Sequence, residues 1–170
     1  KSSPGTRLAW RGGGVSVFVG THINKIDRKG RVSVPASFRA AFGTALAGGA
    51  YVMRSISGAQ ALDAFTPEIF GQLADSIDNP FAEEHEDFTN AIFGASQHLS
   101  FDAEGRVMVP ELFCSFAGIT DQVCFIGRGS HFQMWQPEAG LAQQEEAFRR
   151  AVANRANLGL RLAGKGSKDA

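Results

Sequence analysis

The stretch Lys25–Pro35, KIDRKGRVSVP, returns 75 positions later as SFDAEGRVMVP at Ser100–Pro110. Over Ile26–Gly43 and Phe101–Gly118, eight of eighteen positions are identical: Asp27/Asp102, Gly30/Gly105, Arg31/Arg106, Val32/Val107, Val34/Val109, Pro35/Pro110, Phe38/Phe113 and Gly43/Gly118. Phe18 matches Phe93 at the same offset, and Phe65-Thr66-Pro67-Glu68 echoes Trp135-Gln136-Pro137-Glu138 at an offset of 70. A repeat of this length means one supersecondary unit used twice, each copy too small to bury its apolar face alone. The expected organisation is a flexible leader over 1–14, a first unit over 15–78, a joining helix over 79–93, a second unit over 91–150 and a mobile basic tail over 151–170.

Each unit reads as strand, turn, strand, helix, strand, strand, helix. Asp27 or Asp102 opens a four-residue turn by accepting backbone N–H groups, and Gly30 or Gly105 closes it in a left-handed conformation. Arg-Val-x-Val then puts the valines on one face and Arg31/Ser33 or Arg106/Met108 on the other. Pro35 or Pro110 ends that strand and opens a short amphipathic helix that stops at Gly43 or Gly118. A Val/Ile-rich strand, a Gly/Ser hairpin, a further strand and a helix opened by Pro67 or Pro137 follow. Two such units packed together imply an α+β fold, a β-barrel core with peripheral helices. In the joining segment, Asn79 is a candidate N-cap with Pro80 at the first helical position, and Phe81, Phe88 and Ile92 are expected on one inward face. The last helix, about Pro137–Ala153, is expected to turn Leu141, Phe148 and Val152 inward.

Charge is distributed unevenly although the chain is formally neutral. Residues 1–40 hold eight Lys/Arg and one Asp, residues 41–148 three Arg and fifteen Asp/Glu, and residues 149–170 six Lys/Arg and one Asp. Basic ends around an acidic middle suggest one face for a polyanion and another turned away from it. Cys114 and Cys124 make neither a disulfide framework nor a CxxC pair, and His22, His85, His98 and His131 share no metal-ligand spacing. No metal, cofactor, small-molecule substrate or membrane partner is expected, and no signal-peptide block or membrane span is read, so the expected location is cytoplasmic. Gly127–His131 (GRGSH) reads as a hairpin turn rather than a phosphate loop, and adjacent Ser130 and His131 do not form a nucleophile–base pair. The chain is not expected to be an enzyme.

The twin motifs, Asp27-x-x-Gly30-Arg31-Val32-x-Val34-Pro35 and Asp102-x-x-Gly105-Arg106-Val107-x-Val109-Pro110, resemble the paired Asp-x-x-x-Arg motifs of the MraZ family. ELFCSFAGITDQVCFIGRGSHFQMW (Glu111–Trp135) also resembles that family's second half. The resemblance implies a tandem AbrB/MraZ-like double-split β-barrel. It further implies ring-shaped homo-oligomers and binding of double-stranded DNA at repeated promoter boxes of the division and cell-wall gene cluster, in association with the nucleoid. The family's DNA-contacting residues fall on Lys29 and Arg31, and on Arg106 in the second motif. Two departures stand out: EEHED in the joining helix, where relatives often carry Arg, and Glu104 where the first turn has Lys29.

The residues themselves divide the roles. Asp27, Gly30, Asp102 and Gly105 are structural turn residues. Lys25, Arg28, Lys29 and Arg31 crowd one turn beyond anything its stability needs, so Arg31 is expected to contact a base or grip a phosphate while Arg28 and Lys29 hold the backbone. Arg106 is the weaker DNA candidate, and Lys25 and Arg39 are peripheral. The rival readings are a dimeric AbrB- or antitoxin-like regulator, disfavoured by two motifs in one chain, and a non-DNA oligomeric interaction protein using the acidic middle.

Overall fold

The computed structural model describes residues 17–79 and 81–157. The expected leader, Pro80 and the tail beyond residue 157 lie outside the described residues. The first half comprises β1 (Thr21–Lys25), β2 (Arg31–Ser33), α1 (Ala36–Phe42), β3 (Ala50–Arg54), β4 (Leu62–Phe65) and α2 (Pro67–Asp75). A joining helix α3 (Glu83–Thr89) leads to β5 (Gln97–Leu99), β6 (Arg106–Met108), α4 (Glu111–Ala117), β7 (Gln122–Gly127), β8 (Phe132–Trp135) and α5 (Pro137–Ala153). The element order of the second half repeats that of the first. Pro67 and Pro137 sit in the first turns of α2 and α5, whose first amides are capped by Thr66 (Ile69 N–H to Oγ1, 3.3 Å) and Gln136 (Ala139 N–H to Oε1, 2.8 Å).

The halves are not two closed lobes. The antiparallel six-stranded sheet runs β1-β7-β8-β4-β3-β5, and a separate two-stranded ribbon pairs β2 with β6. The first strand of each half therefore pairs with the third strand of the other, Ile23 opposite Cys124 and Tyr51 opposite His98. The chain does turn back at Asp27, but the only ladder contact across that turn is an isolated bridge between Ile26 and Val32. Crossing of the halves is held by Val109 N–H to Gly30 O (2.8 Å) and Val34 N–H to Gly105 O (3.1 Å). At the centre of the sheet β4 meets β8 over a buried polar pair, with Gln133 Nε2 donating to Asp63 Oδ1 at 2.7 Å.

One core serves both halves. Val32, Val34, Val107 and Val109 are buried, as their alternation requires, with Phe38, Phe42, Phe113, Phe125 and Phe132. Phe18 packs edge-on against Phe38 and Phe42, ring centroids 5.6 and 5.5 Å apart. Each such ring contributes about 1.5–3 kcal/mol by burial, so the fold rests on this cluster rather than on its exposed ion pairs.

Two expectations about helices fail. α3 begins at Glu83 after Ala82, not at residue 80, because Asn79 Oδ1 accepts the Phe81 N–H (3.1 Å) in a tight turn rather than opening a helix. Phe81 is 95% exposed and Phe88 is also exposed, leaving only Ile92, in the π-helical turn Asn90–Gly94, buried. On α5 it is Gly140 that is buried, whereas Leu141, Phe148 (70% exposed) and Val152 face outward. On α5 the apolar spacing marks one helix face correctly, but a different face, around Gly140, packs on the sheet.

Candidate nucleic-acid interface

Both turns close the same way. Asp27 Oδ1 accepts the N–H groups of Lys29 and Arg31 (both 2.9 Å), and Oδ2 accepts Arg31 Nε–H at 2.7 Å. Asp102 does the same with Glu104 and Arg106, at 2.9, 2.9 and 2.8 Å. The backbone N–H of Arg31, and then its side chain and the Lys29 N–H, hold the Asp27 carboxyl below its ordinary pKa; Arg106 and Glu104 do this for Asp102. Gly30 and Gly105 close these turns at φ +85° and +77°.

The turns differ in what surrounds their arginines. Arg106 bonds Asp102 and also pairs with Glu104 (Nη2 to Oε2, 2.9 Å), and Asp27 of the other turn adds to the negative field that raises its pKa. Its guanidinium is neutralised within the protein. Among the described residues Arg31 pairs with Asp27 alone, because Lys29 stands where Glu104 stands in the other copy. Among the described residues, Arg28 and Lys29 are exposed and make no salt bridge. Lys25 is exposed at the end of β1 opposite Gln122, on the large sheet rather than on the ribbon.

Pairing of β2 with β6 decides how these groups are presented. Arg31 lies opposite Met108, Val32 opposite Val107 and Ser33 opposite Arg106. Directly opposed residues share a face, so Arg31, Ser33, Arg106 and Met108 form one outer face and the valines the buried one. The turns sit at opposite ends of this short ribbon: the cationic first turn beside Met108, the second beside Ser33. The outward side of each strand expected from the sequence holds these residues, but the turns are not tips of separate hairpins, because β2 pairs with β6.

Arg39, peripheral by sequence, reaches the second turn. From α1 its Nε–H donates to Val34 O (3.1 Å), and its guanidinium crosses to the second turn, where a Cβ on Gly105 would lie 2.5 Å from its Nη1. The equivalent of Arg39 in the other half is Cys114, so no helix cation is added at the first turn. This one-sided Arg/Cys pair was the available signal. Cys114, with Glu111, lines a cleft of about 310 Å³ beside the first turn. Burial, with the Glu111 charge, pushes the Cys114 thiol pKa up. At the far hairpin, Ser130 Oγ is 3.0 Å from His131 Nδ1, but His131 Nε2 is 4.0 Å from Asp63, too far for the hydrogen bond of a catalytic triad.

A protein whose two β-α halves cross-pair in one antiparallel sheet, with two Asp-clamped arginines on a separate ribbon, belongs to a definable structural class: mixed α+β proteins built on an antiparallel sheet. The family model described as "MraZ protein, putative antitoxin-like" matches residues 92–158. A protein named transcriptional regulator MraZ from Gluconobacter oxydans (strain 621H) is 39% identical over 141 residues, covering 81% of this chain and 86% of that one. Namesakes from Rickettsia canadensis (strain McKiel) and Rickettsia bellii (strain OSU 85-389) are 40% and 42% identical, each covering 73% of this chain and 84% of theirs. The chain belongs to the MraZ family. No helix among the described residues is long and apolar enough to cross a membrane.

Proposed function

We propose that this chain is a sequence-specific DNA-binding regulator of transcription that acts as a ring-shaped homo-oligomer on repeated promoter boxes of the division and cell-wall gene cluster, in the cytoplasm at the nucleoid. One observation carries the reading. Two turns of the same backbone geometry differ in charge, and the first keeps Arg28 and Lys29 unpaired and Arg31 half-paired while the second quenches its arginine. The fold needs one Asp–Arg clamp per turn, so the extra cations serve a ligand with negative charge. A ribbon face of this width suits a major groove, with Arg31 at a guanine edge or phosphate and Arg28 and Lys29 on the backbone. The crossed pairing also fits a tandem double-split barrel with the unit boundaries expected from the sequence.

One turn supplies about three phosphate contacts, too few for tight binding at physiological salt. Several copies on adjacent boxes would raise affinity through effective concentration. Self-association is supported at the edge of the sheet. Gln144 Nε2 on α5 donates to Thr21 Oγ1 on β1 at 2.9 Å, and exposed Leu141, Phe148, Val19 and Ile23 flank that bond. Exposed Phe81 and Phe88 lie with the acidic α3, which leads into the turn packed on β3 toward the other end of the sheet. Two different apolar surfaces at opposite ends favour head-to-tail contacts, which form rings when the rotation between subunits closes.

An electrophoretic shift with repeated-box DNA tests the reading. Arg31→Ala is expected to lose binding while light scattering finds the same oligomer, and Glu104→Ala to change affinity little. Wild-type binding by Arg31→Ala would overturn the assignment.

A further inference from the structure

The ribbon face holds one side chain that neither the fold nor charge explains. Met108 is 56% exposed, directly opposite Arg31 and next to the cationic turn. Its counterpart in the first half is Ser33, exposed in the same strand position. A small polar residue therefore satisfies the architecture at this site, and the methionine adds nothing to the core. The asymmetry continues one helical turn on, where Leu112 is 61% exposed and its counterpart is Ser37. One end of the ribbon thus combines free cations with exposed apolar groups, and the other combines quenched charge with serines.

We infer that Met108 reads a thymine methyl group in the major groove beside the base or phosphate held by Arg31. The inference rests on the DNA-binding reading above. Thymine presents the one apolar group on a major-groove base edge, and apolar side chains distinguish it by contact. Methionine suits the task because its unbranched, polarizable chain adapts to a shallow target. The antiparallel register places Met108 and Arg31 side by side, about 5 Å apart at Cβ, so the two would address the same or neighbouring base pairs. Serine at the other end of the ribbon offers no such discrimination.

The test begins with wild-type protein selecting duplexes from a randomised pool. The selected duplex is then synthesised with deoxyuridine replacing thymidine at one position at a time, which removes the methyl alone. Wild type is expected to lose about fourfold in affinity at one position, the loss expected for one buried methyl. Met108→Ser, which copies the residue at the equivalent site, should bind the parent duplex about fourfold more weakly, keep the wild-type salt dependence, and be insensitive to deoxyuridine at that position. Sensitivity of Met108→Ser equal to that of wild type, or no sensitive position in wild type, would overturn the methyl assignment alone. Failure to enrich any duplex would overturn the DNA-binding reading beneath it.

Discussion

Alanine at Gly30 and at Gly105 should not cost the same, although the two glycines are repeat equivalents. Both have positive φ, +85° and +77°, where any side chain is strained by about 1–2 kcal/mol. Their neighbours differ. A Cβ on Gly30 would lie 2.5 Å from the carbonyl oxygen of Val109, whose backbone is fixed by the Val109 N–H to Gly30 O bond that ties the halves together. A Cβ on Gly105 would meet the Arg39 guanidinium, a side chain that can swing away at the loss of its bond to Val34 O. Gly30→Ala therefore adds a backbone displacement to the strain and should total about 3–4 kcal/mol, against about 2 kcal/mol for Gly105→Ala. At about 2–4 °C per kcal/mol for a chain of this size, the melting temperature should fall by about 6–16 °C and 4–8 °C respectively. Paired thermal melts by circular dichroism, at one protein concentration, make the measurement. Equal losses, or a larger loss at Gly105, would refute the claim that the halves are tied through the Gly30–Val109 contact.

Acid should act through the turn aspartates. Their pKa values are depressed in the fold, so their contribution to stability is complete above the ordinary aspartate value of 3.8 and is lost as pH falls through the lower folded values. Asp27→Asn should flatten the acid limb of stability against pH, measured by urea denaturation between pH 5 and pH 2, about the range over which such carboxylates titrate. Phe148→Glu places a charge in the exposed apolar stripe of α5; light scattering should find smaller particles, with the melting curve of the dissociated subunit still cooperative.

Much of the architecture was legible because it is local. The Asp-to-Gly turns, the buried valines, the proline-opened helices and the order of elements follow from turn chemistry and from periods of two and 3.6 residues. Partner choice was not legible. A period of two states which face of β2 is buried but not whether β2 pairs with its own neighbour or with β6, and a second copy of the same Arg-Val-x-Val pattern makes both partners plausible strands. That ambiguity hid the shared face of Arg31, Arg106 and Met108 and the reach of Arg39 to the second turn. The helices failed for a related reason. Leu141, Phe148 and Val152 share a face whether it meets the core or another molecule, and Asn79 caps a turn as readily as a helix. At the proposed site, charge in the sequence singles out Arg28, Lys29 and Arg31, whereas Met108 is exceptional only beside Ser33 on a common ribbon.

On the proposed function, charge on the first turn, and not the repeated fold, confers DNA binding. The direct measurement writes the second turn's residues into the first, as the double variant Arg28→Ala, Lys29→Glu, which copies Ala103 and Glu104 onto the same backbone. Anisotropy titrations of wild type and variant against repeated-box DNA at several salt concentrations would be compared with melting curves and light scattering on the same samples. Stability and oligomer should be unchanged, with affinity for DNA lost and the salt slope reduced by about 0.9 for each phosphate contact removed. Binding with wild-type affinity and slope would contradict the proposed function.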